Sequence, residues 1–63
     1  MLVKIKGVIK RNGRFLYINN IGLVLATSKY GYLIREQIQP EPNVEYSRSR
    51  YWVSFKITTE MEE

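Results

Sequence analysis

Val3, Ile5 and Ile9 alternate with Lys4, Lys6 and Lys10, a period of two that predicts a β-strand with one buried side. Gly7 and Val8 interrupt the alternation, and a glycine inside a strand marks a bulge or bend of the kind that curls a small sheet. Asn12-Gly13 comes next; because both residues tolerate positive φ, the pair predicts a type I′ hairpin turn. The turn sets a register with Arg11 opposite Arg14, Lys10 opposite Phe15, Ile9 opposite Leu16, Val8 opposite Tyr17 and Gly7 opposite Ile18. One face then collects Val3, Ile5, Ile9, Leu16 and Ile18, a core wall ending in the arginine pair. The other face collects Lys4, Lys6, Val8, Lys10, Phe15 and Tyr17.

Asn19-Asn20 and Gly22 predict a break, after which residues 23–27 read as a third strand, short and apolar enough to be central. Lys29-Tyr30-Gly31 predicts a second turn. Residues 32–38 read either as a strand or as about two helical turns, and the adjoining turn and β-rich context favour the strand. Gln39-Pro40-Glu41-Pro42-Asn43 is a loop, since proline cannot donate to a ladder and restricts the residue before it. Residues 44–57 form one long bent strand or a hairpin turning around Ser47-Arg48-Ser49. Val44 and Tyr46 lie on one phase, while Tyr51, Val53, Phe55 and Ile57 lie on the other. Residues 58–63 read as a frayed tail. The fold expected is all-β: a small curled antiparallel sheet or partly open barrel, SH3-like or OB-like, of four to six short strands, with one short helix near 32–38 as the variant. It occupies residues 1–59 as a single domain, with an acidic flexible tail at 60–63.

A chain of 63 residues buries only about 60% of the surface its unfolded form exposes, so the core must be thin. With no cysteine there is no disulfide, and stability must come from packing, good turns or a second copy of the chain, which keeps a homodimer open. Absent cysteines and no evident targeting segment suit a cytoplasmic protein. The longest apolar run, residues 21–26, falls far short of the ~20 residues that cross a bilayer as a helix, so no membrane partner is expected.

The net charge of +4 conceals a strong polarity along the chain. Residues 1–35 carry seven basic side chains and no acidic one, whereas Glu60, Glu62 and Glu63 crowd the C-terminus. Residues 1–59 alone carry ten basic groups against three acidic ones, a body of +7 that attracts polyanions.

Most catalysis is excluded by the alphabet: histidine, cysteine and aspartate are all missing. The usual zinc, copper and haem ligands are therefore lacking, and scattered glutamates build no calcium or magnesium cage. The four serines have no histidine base, and the four glycines are isolated instead of forming a phosphate loop. No enzyme, no cofactor and no small-molecule substrate are expected.

Basic and aromatic residues together carry more content. Phosphates need Lys or Arg for neutralisation, and exposed bases need flat rings on which to stack. The hairpin's second face offers both, and residues 50–56 repeat the combination when Val53, Phe55 and Ile57 point inward and Arg50, Trp52, Ser54 and Lys56 outward. The expectation is a non-catalytic nucleic-acid-binding protein, for DNA or RNA, contacting phosphates and bases through Lys4, Lys6, Lys10, Arg11, Arg14, Tyr17, Arg48, Arg50, Trp52 and Lys56. Structural roles compete with this reading. Phe15 and Val8 suit a second small core under the curled sheet; a lone tryptophan is more often core than surface; and the lysines suit a solvated strand face. The rival function is a protein-protein module, a dimeric adaptor, inhibitor or assembly subunit, that uses the same exposed Tyr, Trp and Arg.

Overall fold

The computed structural model describes residues 1–61. Five strands form one antiparallel sheet: β1 (Leu2–Arg11), β2 (Arg14–Thr27), β3 (Gly31–Gln39), β4 (Glu45–Ser54) and β5 (Thr58–Glu60). The spatial order is β4-β3-β2-β1-β5, so four strands meander and the fifth returns to the free side of the first. A single 3₁₀ turn, Phe55–Ile57, makes that return. The sheet is curled and does not close, in keeping with the small curled antiparallel sheet read from the sequence. No helix among the described residues is long and apolar enough to cross a membrane.

The β1–β2 hairpin has the predicted register residue by residue, from Arg11 against Arg14 back to Leu2 against Leu23. Its turn has φ of 52° at Asn12 and 75° at Gly13, the left-handed values a type I′ turn requires. Gly7 makes no bulge, since it pairs with Ile18 in an unbroken ladder; what it supplies is room. A Cβ there would lie 2.5 Å from Ile57 Cγ2, so only glycine lets the 3₁₀ turn seat against the hairpin and deliver β5 to β1. Residues 58–60, read as the start of a frayed tail, are consequently a strand, with Val3 opposite Glu60 and Ile5 opposite Thr58. The remainder of the predicted acidic tail, Glu62 and Glu63, lies outside the described residues.

Of the other elements, one needs correction and two alternatives are decided. The break at Asn19-Asn20 and Gly22 does not occur, and residues 23–27 are the second half of a continuous β2. Asn20 accounts for this: its Nδ2 donates to the Gln37 carbonyl at 2.8 Å, tying β2 to β3 just before ladder pairing begins at Gly22 and Glu36. Residues 32–38 are strand throughout, and neither Ser47-Arg48-Ser49 nor its neighbours form a hairpin turn. Those three residues are a bulge. Arg35 pairs with Arg50 and Gln37 with Tyr46, so β4 spends three intervening residues where β3 spends one. The side chain of Arg35 braces the bulge, donating from Nε to the Ser47 carbonyl at 2.6 Å and from Nη2 to the Tyr46 carbonyl at 3.2 Å. The bulge adds two residues to β4, an even number, so strand phase is kept through it: Tyr46 lies opposite Gln37 on the outer face and Tyr51 opposite Ile34 on the inner one, as simple alternation requires.

The inner face of the curl holds the core: Val3, Ile5, Ile34 and Val53 are buried, with Ile18, Val24, Tyr32, Tyr51 and Ile57 packed around them. Leu16, expected in the core wall, is 41% exposed. The hairpin outruns its neighbours: β5 covers β1 only from Val3 to Ile5, and β3 covers β2 only from Gly22 onward. Residues 6–11 and 14–21 thus project as a two-stranded arm. Its tip turns back over the inner face, where the Arg11 guanidinium sits 4.9 Å from the Tyr51 ring centroid.

Candidate nucleic-acid interface

Ladder pairing decides which side chains share a face, because residues directly opposite one another point to the same side. Since Val3, Ile5, Ile34 and Val53 face inward, their chain neighbours Lys4, Lys6, Leu33, Arg35 and Trp52 face outward. The outer face of the arm carries Lys4, Lys6, Lys10 and Tyr17, all exposed, together with Val8 and Phe15. Phe15 is 75% exposed and Val8 57% exposed, so the second small core expected beneath them does not form. Among the described residues no further layer covers that side of the two-stranded ribbon. Lys10 instead holds its Nζ 5.8 Å from the Phe15 ring.

Trp52 also faces outward, paired with Leu33 and 54% exposed; its alternation against Val53 outweighs the usual fate of a lone tryptophan. Tyr17 and Trp52 therefore share the outer face of one sheet, but not one patch. Leu33 lies opposite Ala26, nine residues along β2 from Tyr17, a contour of roughly 30 Å. Arg48 and Arg50 lie between these ends, around a shallow depression that Leu25 and Arg35 complete. Arg35, which the sequence reading passed over, spends its guanidinium on the bulge carbonyls.

Arg11 and Arg14 stand apart from the other predicted contacts. They share the inner-side phase of the arm and, with Asn12 and Leu16, line a depression at its tip. Arg11 stacks on Tyr51, whose hydroxyl donates to Glu36 Oε1 at 2.8 Å. Burial raises the Tyr51 pKa well above the ordinary tyrosine range; the Glu36 hydrogen bond and charge add to the rise, and Arg11 opposes it. Arg11 is thus part of a polar cluster that latches the arm to β4.

Lys56, expected on a strand, sits in the 3₁₀ turn. That turn also brings Phe55, assigned inward by strand alternation, out to 39% exposure. Together with the β2–β3 connection they form a cleft of about 690 Å³ lined by Lys29, Tyr30, Trp52, Phe55 and Lys56, with Ser28 and Ser54 among its remaining walls. The sequence reading set Tyr30 at a turn tip but did not join it to Trp52. The signal that could have found the cleft is the pair of short polar turns, at Ser28 and Ser54, each followed within two residues by a lysine and an aromatic ring.

Comparison with protein-family models, curated proteins and solved structures finds no significant match to this chain.

Proposed function

We propose that this protein binds nucleic acid without catalysing a reaction, through the outer face of its sheet. The observation that carries the reading is the alternation of Lys4, Lys6 and Lys10 along β1 beside the exposed Phe15 and Tyr17, with Arg48, Arg50 and Trp52 on the same face of β4. Lysines and arginines neutralise phosphates and release their counterions, while the rings offer flat surfaces to bases. Arg14 at the arm tip and Lys56 in the 3₁₀ turn extend the positive surface to both ends. Arg11 contributes charge only, since its guanidinium is already stacked on Tyr51. Among the described residues no α-helix is present to enter a groove, so phosphate contact and stacking outrank base-edge reading.

Five phosphate contacts from Lys4, Lys6, Lys10, Arg48 and Arg50 imply a log-log salt slope of roughly −3.5 to −4.5. The measurement is anisotropy of a labelled oligonucleotide titrated at several salt concentrations, with Lys6→Glu/Lys10→Glu as the weakened variant. Affinity that stays flat with salt, and survives the charge reversal, sinks the proposal. It would instead favour the protein-protein module, in which the same rings contact a partner or a second copy.

A further inference from the structure

We infer that the cleft between the β2–β3 turn and the 3₁₀ turn is a seat for an unpaired nucleotide, which makes this a protein that prefers single strands. The inference rests on the nucleic-acid reading and adds a place and a strandedness to it.

The cleft presents three rings with uncovered surface: Tyr30 is 73% exposed, Trp52 54% and Phe55 39%. Two cations flank them, Lys29 with its Nζ 5.1 Å from the Tyr30 ring, and Lys56 on the opposite lip. Among the described residues no carboxylate lines the space; Glu60 accepts from the hydroxyl of Tyr32, whose ring meets Phe55 edge-on. The lining therefore complements a planar apolar group that carries negative charge at its edge. A base with its flanking phosphates has that chemistry.

The serine oxygens of the cleft are engaged in shaping it. Ser28 Oγ accepts from the Tyr30 and Gly31 amides at 3.1 and 3.2 Å, and Ser54 Oγ accepts from the Lys56 amide at 3.1 Å. The Phe55 amide donates to the Tyr30 carbonyl at 3.1 Å, locking the two turns to each other. Gly31 permits their approach, because a Cβ there would overlap the Val53 carbonyl. The backbones carrying Tyr30 and Phe55 are thus held in place before any ligand arrives, which lowers the ordering cost of binding. With the serine oxygens accepting from backbone amides and three rings exposed, the cleft favours stacking over base-specific hydrogen bonds. A base inside a duplex has both faces covered by its neighbours and cannot enter; an unpaired one can.

The test titrates the protein with fluorescein-labelled oligothymidylate and with a labelled duplex of equal length. Label anisotropy reports binding anywhere on the protein, and emission of Trp52, the sole tryptophan, reports occupation of the cleft. The expected result is quenching of Trp52 by the single strand and little by the duplex. Tyr30→Ala should weaken single-strand binding by roughly tenfold while leaving duplex binding and the melting temperature nearly unchanged. Trp52→Leu, read by anisotropy, should give a similar loss and guards against a folding defect peculiar to one variant. If anisotropy rises while Trp52 emission and the Tyr30→Ala affinity do not change, the cleft assignment is overturned and the charged face alone stands. If no oligonucleotide raises the anisotropy, both readings fall. Quenching by a proline-rich peptide but by no oligonucleotide also overturns the assignment, giving the cleft to a protein partner.

Discussion

The arm and the body of the sheet are built from the same alternation of apolar and basic residues, yet the arm stays half-open toward its tip while the body encloses the core. Val3 and Ile5 in the body are fully buried, whereas Leu16, on the same face of the hairpin, is 41% exposed. The difference lies in the neighbours. β5 and β3 flank the hairpin only along its base, and toward the tip the cover thins to the stack of Arg11 on Tyr51. Burial in so small a protein is decided by how many strands run alongside a position, and only secondarily by the residue's own hydrophobicity.

The comparison breaks most visibly with paired truncations. Ile34→Ala should cost about 3 kcal/mol, close to the whole stability of a domain this size, so urea denaturation should find it largely unfolded. Leu16→Ala should cost under about 1 kcal/mol in the same assay. Similar losses for the two would mean that the arm is part of the core.

The latch between arm and body offers a second probe. Tyr51→Phe removes the hydroxyl that donates to Glu36 and should cost about 1–2 kcal/mol near neutral pH. The pH dependence has a definite sign. Because the folded pKa of Tyr51 is raised, its contribution is fully present below the unfolded tyrosine value of about 10 and is lost as pH climbs through the folded one. Wild-type stability should therefore fall more steeply than that of Tyr51→Phe above pH ~10, and parallel curves would remove Tyr51 from the account.

The smallest effect is expected at the tip. Gly13→Ala forces an alanine into φ of 75° at a cost of about 1 kcal/mol, enough to fray the arm but not the body. Hydrogen exchange should quicken for amides of residues 8–17 and leave those near Ile34 protected; uniform quickening would mean that arm and body unfold together.

These contrasts also explain what could be read from the sequence. The hairpin register was legible because Asn12-Gly13 accepts a backbone geometry few other pairs accept, and a two-residue turn leaves no freedom in pairing. The Asn19-Asn20 break was misread because Asn20 hydrogen-bonds across strands instead of turning the chain. The bulge at Ser47-Arg48-Ser49 was hidden because its two extra residues leave the alternation of β4 unchanged, and only the β3 partner reveals it. β5 was hidden because three polar residues carry no pattern, and its position depends on a packing contact between Gly7 and Ile57 fifty residues apart. As for the proposed interface, alternation correctly set Trp52 outward, but it failed at Phe55 and Lys56, where the strand gives way to a 3₁₀ turn. Each wall of the cleft carries its own signal, a serine followed by a lysine and a ring, but the meeting of the two is set by the Phe55 amide bonding to the Tyr30 carbonyl, a contact between residues distant in sequence.

The β4 bulge has one more consequence. As an outermost strand, β4 exposes unpaired amides and carbonyls on which another chain could add a strand, the usual first step toward aggregation of small β proteins. The bulge interrupts that template, and it does so with Arg48 exposed on it and Arg50 beside it, two charges that an incoming copy would have to meet with its own. The arginines assigned to phosphates thus also keep the concentrated protein from polymerising edge to edge. Straightening the strand by deleting two of these three residues would restore a continuous edge and with it the hazard.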